Sequence, residues 1–153
     1  MKKTIFIGKS GCGKTTLIQR LEDEELRYRK TQMVEHYLHF IDTPGEYLER
    51  RGMYRALIVS AVDADLIGLV QECGADNSWL PPSFASSFAK PVFGVISKVD
   101  LARDEREVQF AREILESAGV TRVFAVSAVE EIGLQPLLEY LNIGESFEGT
   151  EGT

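Results

Sequence analysis

Two cysteines, Cys12 and Cys73, are all that the sequence of 153 residues contains. So small a number excludes a disulfide framework or a cysteine-rich zinc site, and it indicates a reducing compartment. Long apolar runs are also lacking, because charged residues interrupt every stretch that approaches the roughly 18 residues needed to cross a bilayer. The residues before the first glycine-rich segment contain no small-residue cleavage site. We therefore expect a cytoplasmic protein that has no membrane partner.

Positively charged residues are also fewer than negatively charged ones. The sequence has 17 Lys and Arg residues and 24 Asp and Glu residues, and its formal net charge is −7. This balance argues against non-specific binding of nucleic acid over a broad surface. The apolar fraction of 44% is that of an ordinary globular chain. The length suits one well-buried core, so we predict one domain over residues 1–143 and a frayed acidic tail over 144–153.

The sequence does contain a regular alternation of short apolar runs and amphipathic stretches. Within each apolar run, apolar and polar residues rarely alternate, as expected of strands that are buried on both faces of a parallel sheet. Stretches with helical spacing lie between them, and the clearest is opened by Asp104 and closed by Gly119. This order predicts a doubly wound α/β fold. The predicted strands are residues 4–8, 38–42, 65–71, 91–97 and 122–127.

The segment GKSGCGKT fits the pattern G-x-x-x-x-G-K-T and lies between a predicted strand and a predicted helix. Its glycines permit backbone torsions that point successive N–H groups at an anion. Lys14 is expected to reach the terminal phosphates as a catalytic cation, and Thr15 to place its hydroxyl on Mg²⁺. A glycine-rich turn without a ligand is the alternative. The predicted nucleotide-binding residues here are Gly8, Lys9, Ser10, Gly11, Cys12, Gly13, Lys14, Thr15 and Thr16.

A second segment, DTPGE, begins where another predicted strand ends. Ligands of open α/β sheets lie beyond the carboxyl ends of the strands, so this segment should meet the glycine-rich loop in one crevice. Asp42 is expected to hold Mg²⁺ through water, and the N–H of Gly45 to sense a γ-phosphate. Taken alone, the segment is equally compatible with a common turn.

A third segment, SKVD, again follows a predicted strand. Asp100 is expected to accept both N–H donors on the Watson–Crick edge of guanine, which adenine does not supply in that pattern. Lys98 should lie along the base and brace the glycine-rich loop. At the next strand end, Ser127 is followed by Ala128, whose N–H is expected to meet the guanine carbonyl. An exposed turn is the alternative for each segment alone, but their order and spacing together favour a guanine-nucleotide site.

With these motifs the chain resembles the small GTPase-type P-loop proteins. The stretch RKTQMVEHYLHFIDTPGEYLERRGMYRALIVSAVDAD resembles the EutP/PduV family in particular, which is associated with ethanolamine and propanediol utilisation in bacteria. The segments GKSGCGKT and FASSFAKPVFGVISKVDLA are more similar to the PduV-like side. The resemblance runs from Lys2 to about Leu141. It implies a P-loop NTPase with a Ras-like, mainly parallel sheet of about five strands, and GTP or GDP with Mg²⁺ as cofactors.

The same resemblance implies a nucleotide-binding accessory protein that is linked to a bacterial microcompartment. A shell or pathway protein is then the expected partner, and the cytoplasm, with an association to the compartment, is the expected location. Two functions stay open at this point. One is a slow GTPase that serves as a switch or assembly factor, and the other is a nucleotide-dependent acetate kinase, an activity attached to part of the family. A nucleotide-binding adaptor with little turnover is a third interpretation.

Several residues depart from the usual pattern of the resembled proteins. Ser97 replaces the customary Asn or Thr, so some bracing of the glycine-rich loop is expected to be lost. In many regulatory GTPases a glutamine orients the attacking water. Glu46 occupies the place of that glutamine here and is our candidate for a catalytic residue. Its charge near the γ-phosphate is expected to make hydrolysis slow. Thr31, the candidate for a second Mg²⁺ hydroxyl, precedes Asp42 by only 11 positions, which predicts a shortened switch region. The electropositive loop could lower the pKa of Cys12, but a residue at such a position is more often simply small enough to fit.

Overall fold

A parallel sheet of five strands organises the residues that the computed structural model describes, which are 3–29, 40–75 and 79–141. The strands are β1 (Thr4–Ile7), β2 (Phe40–Asp42), β3 (Leu66–Glu72), β4 (Val92–Ser97) and β5 (Val123–Ala125). Their order is β2-β1-β3-β4-β5, and every neighbouring pair is parallel. The predicted sheet is thus confirmed, although the predicted tail over 144–153 lies outside the described residues.

Helices alternate with these strands along the described chain. They are α1 (Lys14–Arg29), α2 (Glu46–Glu49), α3 (Tyr54–Ser60), α4 (Glu105–Ser117) and α5 (134–141). The carboxylate of Asp104 accepts the N–H groups of Arg106 and Glu107 at 3.0 and 3.2 Å, which caps α4 as predicted. Gly119 follows the helix with a φ of 105°. None of the helices in this part of the chain has the length and apolar character of a membrane span.

The helices cover both faces of the sheet, which explains why the strands carry continuous apolar runs. On one face, α2, α3 and α4 pack onto the strands through Leu48, Leu57 and Leu115. On the other face, α1 and α5 do so through Leu17 and Leu137. All five of these leucines are buried. The doubly wound arrangement is therefore confirmed.

The strand order brings the loops of interest to one edge of the sheet. Because all the strands run in the same direction, the loops that follow β1, β2, β3 and β4 leave from a common edge. Phe6 of β1 is in register with Asp42 of β2, and Glu72 of β3 is in register with Ser97 of β4. The chain passes from β1 to opposite sides of it, first to β2 and then to β3. The crevice beside this switch point is where ligands bind in such sheets.

Candidate guanine-nucleotide site

The phosphate loop, residues 8–15, connects β1 to the start of α1. Gly11 and Gly13 have φ angles of 79° and 90°, in the left-handed region that glycine enters without a steric cost. At Gly8, a Cβ would lie 2.7 Å from the sulfur of Cys12, so a side chain there would disturb the loop. The glycine pattern therefore follows from the backbone path, which ends at the N-terminus of a helix.

One carboxylate joins the groups that were predicted around the phosphates and the metal. The Nζ of Lys14 lies 3.0 Å from Oδ1 of Asp42, and the hydroxyl of Thr15 donates to Oδ2 at 2.6 Å. The Lys14 side chain is only 7% exposed, so Asp42 is an important partner for its charge. Hydroxyl and carboxylate oxygens are ligands that Mg²⁺ prefers. Within the described residues there is no group of three or more His, Cys, Asp or Glu side chains that could hold a metal ion.

The DTPGE segment lies directly on the phosphate loop. The buried hydroxyl of Thr43 donates to the carbonyl oxygen of Phe6 at 2.8 Å and fixes the start of the segment. Gly45 approaches the loop so closely that a Cβ would lie 2.2 Å from the backbone nitrogen of Ser10. The Ser10 hydroxyl donates to Oε2 of Glu49 at 3.2 Å. Sequence reasoning singled out Gly45 but missed the contacts of Thr43 and Glu49. Thr43 lies within DTPGE and Glu49 lies outside it, and no motif assigns a role to either residue.

Two further predicted residues are exposed, and a third is not among the described residues. Glu46 is the first residue of α2 and is exposed, whereas the carboxylate on the phosphate loop is that of Glu49. Thr16 is exposed in the first turn of α1. Thr31 lies outside the described residues. The roles assigned to Glu46, Thr16 and Thr31 stay predictions.

The end of β4 supports the phosphate loop from the side of the predicted base site. The hydroxyl of Ser97 is buried and donates to the carbonyl oxygen of Cys12 at 2.6 Å. The expected loss of bracing at Ser97 is therefore wrong, because β4 ends close enough to the loop for a short side chain to reach it. Lys98 has a φ of 60°, and its Nζ donates to the carbonyl oxygen of Gly11 at 2.6 Å. The brace predicted for Lys98 is present.

Asp100 lies beyond this brace, in a 3₁₀ turn over Val99–Leu101, and is exposed. The N–H of Val99 donates to the carbonyl oxygen of Val126 at 3.1 Å, which ties this turn to the strand end before Ser127. The two segments predicted to read the base are thus neighbours. The carboxylate of Asp100 is accessible to a ligand, and the hydrogen bond from Val99 to Val126 holds the turn that carries it.

The loop that begins at Ser127 is closed by its own backbone. Ser127 and Ile132 exchange two hydrogen bonds of 3.0 and 2.9 Å, and the Ser127 hydroxyl accepts the N–H of Glu130 at 3.0 Å. Gly133 then passes so close to the sheet that a Cβ would lie 2.2 Å from the carbonyl oxygen of Ala125. Ser127 is fully buried. The side chain of Ser127 therefore has a structural role. The N–H of Ala128, a half-buried residue, is still the group predicted to contact guanine.

Glu72, at the end of β3, is a site residue that sequence reasoning missed. Its Oε2 accepts from Nζ of Lys98 at 2.8 Å, and its Oε1 lies 3.3 Å from Nζ of Lys9. Burial raises the pKa of the Glu72 carboxyl, but the hydrogen bonds and charges of Lys98 and Lys9 outweigh it, so the pKa lies below its ordinary value. Glu72 is therefore ionised at neutral pH between two lysines of the candidate site.

The thiol of Cys12 does not behave as its electropositive neighbourhood suggests. Cys12 is only 1% exposed, and burial raises the pKa of its thiol, an effect that the charge of Lys14 only partly offsets. The pKa is thus raised rather than lowered, and the favoured alternative, a small residue that fits the loop, is supported. Desolvation of the thiolate outweighs the nearby lysines, so Cys12 is a small packing residue of the loop.

Comparison with known proteins shows the family to which the chain is similar. It matches the PduV-EutP family, described as ethanolamine utilisation and propanediol utilisation, over residues 1–143. It is 43% identical to the propanediol utilization protein PduV of Citrobacter freundii, covering 95% of this chain and 97% of that protein. It is 34% identical to the protein of Escherichia coli strain K12 named "Probable acetate kinase EutP", covering 92% and 89%.

Its fold is similar to that of Era from Aquifex aeolicus, solved bound to GDP·AlF₄⁻, with a TM-score of 0.62 and 19% identity. This match covers 92% of the chain but 56% of Era, so the chain spans about half the length of that protein. An identity this low shows the fold alone, which is that of the P-loop GTPases. With a family model that matches almost its whole length, the chain belongs to the PduV-EutP family of ethanolamine- and propanediol-utilisation proteins.

Proposed function

We propose that the protein binds guanine nucleotide together with Mg²⁺ and hydrolyses GTP slowly, as a switch or assembly accessory of a bacterial microcompartment pathway. The observation that carries this proposal is the meeting of Lys14, Thr15, Asp42 and Lys98 around the phosphate loop, at the edge where the exposed Asp100 also lies. The family names support ethanolamine or propanediol utilisation as the pathway, and the PduV relative favours propanediol.

At the phosphate end, binding would exchange partners that are already in contact. The ammonium of Lys14 would turn from Asp42 toward the terminal phosphates, whose charge it can hold more strongly. Thr15 and Asp42, which contact each other at 2.6 Å, would then hold Mg²⁺ through oxygen. The ion supplies charge neutralisation between the phosphates. The backbone N–H groups of the phosphate loop would complete the cradle.

At the base end, recognition would rest on the exposed carboxylate of Asp100. Guanine presents two neighbouring N–H donors to a carboxylate, and adenine presents a donor beside an acceptor, which the same carboxylate would repel. Lys98, whose Nζ donates to the carbonyl oxygen of Gly11, would lie under the base. The backbone of Ala128, half-buried beside this turn, would add a donor to the guanine carbonyl.

Slow hydrolysis follows from the residue at the start of α2. Glu46 is exposed there, and a carboxylate beside a γ-phosphate is repulsive where a neutral amide would position water. A rate on the order of 10⁻⁴ to 10⁻² s⁻¹ is expected for a fold of this kind without an activating partner. A partner that supplies an arginine would accelerate the reaction by about 10³- to 10⁵-fold.

Acetate kinase activity is the second candidate, favoured by the name of the EutP relative. In that reaction an acetate oxygen attacks the γ-phosphorus, the bond to the β-phosphate oxygen breaks, and acetyl phosphate and a nucleoside diphosphate result. The acceptor would need cations opposite the γ-phosphate. Arg50, exposed in the connection between α2 and α3, is one candidate for this role.

A single-turnover assay with γ-labelled GTP and Mg²⁺, with and without acetate, separates the two candidates. The switch proposal expects slow release of orthophosphate at a rate that acetate does not change. Formation of labelled acetyl phosphate would contradict the switch proposal and support the acetate kinase candidate. Glu46→Gln should accelerate orthophosphate release, whereas Glu105→Gln, at the corresponding exposed first position of α4, should not.

The metal arrangement is tested by Thr15→Ala. GTP affinity is measured with Mg²⁺ and with EDTA, and loss of the hydroxyl should remove most of the difference between the two. The melting temperature should change little, because Thr15 is exposed. Thr121→Ala, at an exposed position far along the chain, is the control. A collapse of the melting transition in Thr15→Ala would instead give Thr15 a structural role.

A further inference from the structure

The carboxylate of Glu72 stands between two lysines that come from different parts of the candidate site. Lys9 belongs to the phosphate loop and Lys98 to the segment that follows β4. Their Nζ atoms lie 3.3 and 2.8 Å from the two oxygens of Glu72. The Glu72 side chain is 18% exposed, less than either lysine side chain. One anion therefore connects the phosphate half of the site to the base half.

Lys98 is held at both ends of its side chain. Its backbone is in the left-handed region, and its Nζ donates to Gly11 O and to Glu72 Oε2. The side chain passes over the phosphate loop, because its Cε would be 3.4 Å from a Cβ placed on Gly13. A lysine side chain has four rotatable bonds, so this extended path needs partners to persist. Glu72 is the charged partner among the two that Nζ contacts.

From this network we propose that Glu72 is a positioning residue for purine-nucleotide binding, which fixes Lys98 as the support of both the purine and the phosphate loop. The inference rests on the proposed function of nucleotide binding. Glu72 itself would touch neither base nor phosphate. It acts through the geometry of Lys98 and, more weakly, through Lys9.

Two effects of the Glu72 charge have opposite signs, which makes the proposal testable. As a nearby anion, Glu72 should weaken the binding of any phosphate chain by repulsion. As the anchor of Lys98, it should strengthen the binding of ligands that carry a purine. Removing the charge should therefore affect a nucleotide and an inorganic polyphosphate differently.

The experiment compares Glu72→Gln with the native protein, using GDP and inorganic tripolyphosphate as probes in the presence of Mg²⁺. GDP affinity should fall by about 10-fold, the lower end of the effect of a hydrogen bond to a charged group. Tripolyphosphate affinity should stay the same or rise. Glu116→Gln, on the exposed side of α4, is the control that removes one negative charge elsewhere. Glu72→Asp, which keeps the charge on a shorter side chain, should give an intermediate loss for GDP.

A double-mutant cycle then identifies the lysine through which Glu72 acts. If Glu72 works through Lys98, GDP affinity should fall no further in Glu72→Gln with Lys98→Met than in Lys98→Met alone. With Lys9→Met the two losses should nearly add. Unfolding midpoints of all variants, measured in the same buffer, show whether a loss of binding reflects a loss of fold.

Three outcomes would overturn the inference. One is an equal fall in GDP and tripolyphosphate affinity, which would make Glu72 a general structural residue. Another is full additivity with Lys98→Met. The third is a GDP affinity in Glu72→Gln equal to that of Glu116→Gln, although the native protein binds GDP. Failure of the native protein to bind GDP would be a different result, because it removes the proposed function and this inference falls with it.

Discussion

The two halves of the candidate site differ in how their functional groups are engaged. In the phosphate half, the groups contact one another: Asp42 holds both Lys14 and Thr15, and Glu49 holds Ser10. In the base half, Asp100 is exposed on an anchored turn. Ligand binding in the first half must exchange existing contacts, whereas binding in the second half adds contacts to an existing surface.

This difference separates two kinds of variant. In the phosphate half, loss of the buried Lys14 should alter both the free energy of unfolding and nucleotide affinity, because the same ammonium serves both, whereas loss of the exposed Thr15 hydroxyl should alter mainly affinity. Changes to the exposed group of the base half should alter selectivity with little effect on stability. The residues that connect the halves, Ser97, Lys98 and Glu72, should show a mixture of both effects.

The largest effect is expected for Lys14→Ala. The buried ammonium is the main cationic side chain of the phosphate half, and its loss should weaken GTP and GDP by about 100-fold or more, equivalent to about 3 kcal/mol. Stability should fall as well, since Asp42 loses its lysine. Equilibrium dialysis and urea unfolding measure the two changes. An unchanged GDP affinity would show that the phosphate loop does not hold phosphate.

Asp100→Asn should produce the next largest effect, and one of a different kind. The amide offers one acceptor and one donor in place of two acceptors, so GTP should bind about 10- to 100-fold more weakly and xanthosine triphosphate more tightly. The free energy of unfolding should be unchanged, because Asp100 is exposed. Competition binding with both nucleotides gives the ratio. A stability loss without a change of nucleotide preference would contradict the contrast between the halves.

Ser97→Ala is expected to have a smaller effect that falls on both properties. The carbonyl oxygen of Cys12 loses a buried hydrogen bond of 2.6 Å, which should lower the free energy of unfolding by about 1–3 kcal/mol and weaken nucleotide binding. The control is Ser60→Ala, which removes a half-buried 2.7 Å bond to Ala56 in α3, away from the site. Equal stability losses and unchanged nucleotide affinity in both variants would show that Ser97 does not support the phosphate loop.

The smallest expected effect is the pH dependence of Glu72. Because its pKa in the folded protein lies below the ordinary value of 4.5, Glu72 adds stability above that pH and loses it as the pH falls through the folded pKa. The stability difference between native protein and Glu72→Gln should therefore shrink below about pH 4.5, from at most about 1 kcal/mol. Urea unfolding between pH 3 and 7 measures it. A difference that grows toward low pH would refute the Lys9–Glu72–Lys98 network.

The sheet and the phosphate loop could be predicted because their causes are local. Buried parallel strands require continuous apolar runs, and the positive φ angles of Gly11 and Gly13 require glycine. The contact of Asp42 with the phosphate loop also followed from the rule that parallel strands end at one edge.

The polar contacts that complete the site could not be predicted in this way. Glu72 meets Lys98 across 26 positions, and Glu49 meets Ser10 across 39, and neither pair leaves a periodic pattern in the sequence. The expected loss of bracing at Ser97 and the alternative of a lowered Cys12 pKa were wrong for a related reason. How far a side chain reaches, and how completely water is excluded from it, depend on the packed structure rather than on residue type.

The most direct test of guanine-nucleotide binding is a calorimetric titration of the native protein with GTP, GDP and ATP in the presence of Mg²⁺. The arrangement of Asp100 beside the braced phosphate loop predicts saturable binding of GTP and GDP, and binding of ATP that is weaker by about 100-fold or more. Binding of ATP that equals or exceeds that of GTP would contradict the assignment of Asp100 to guanine.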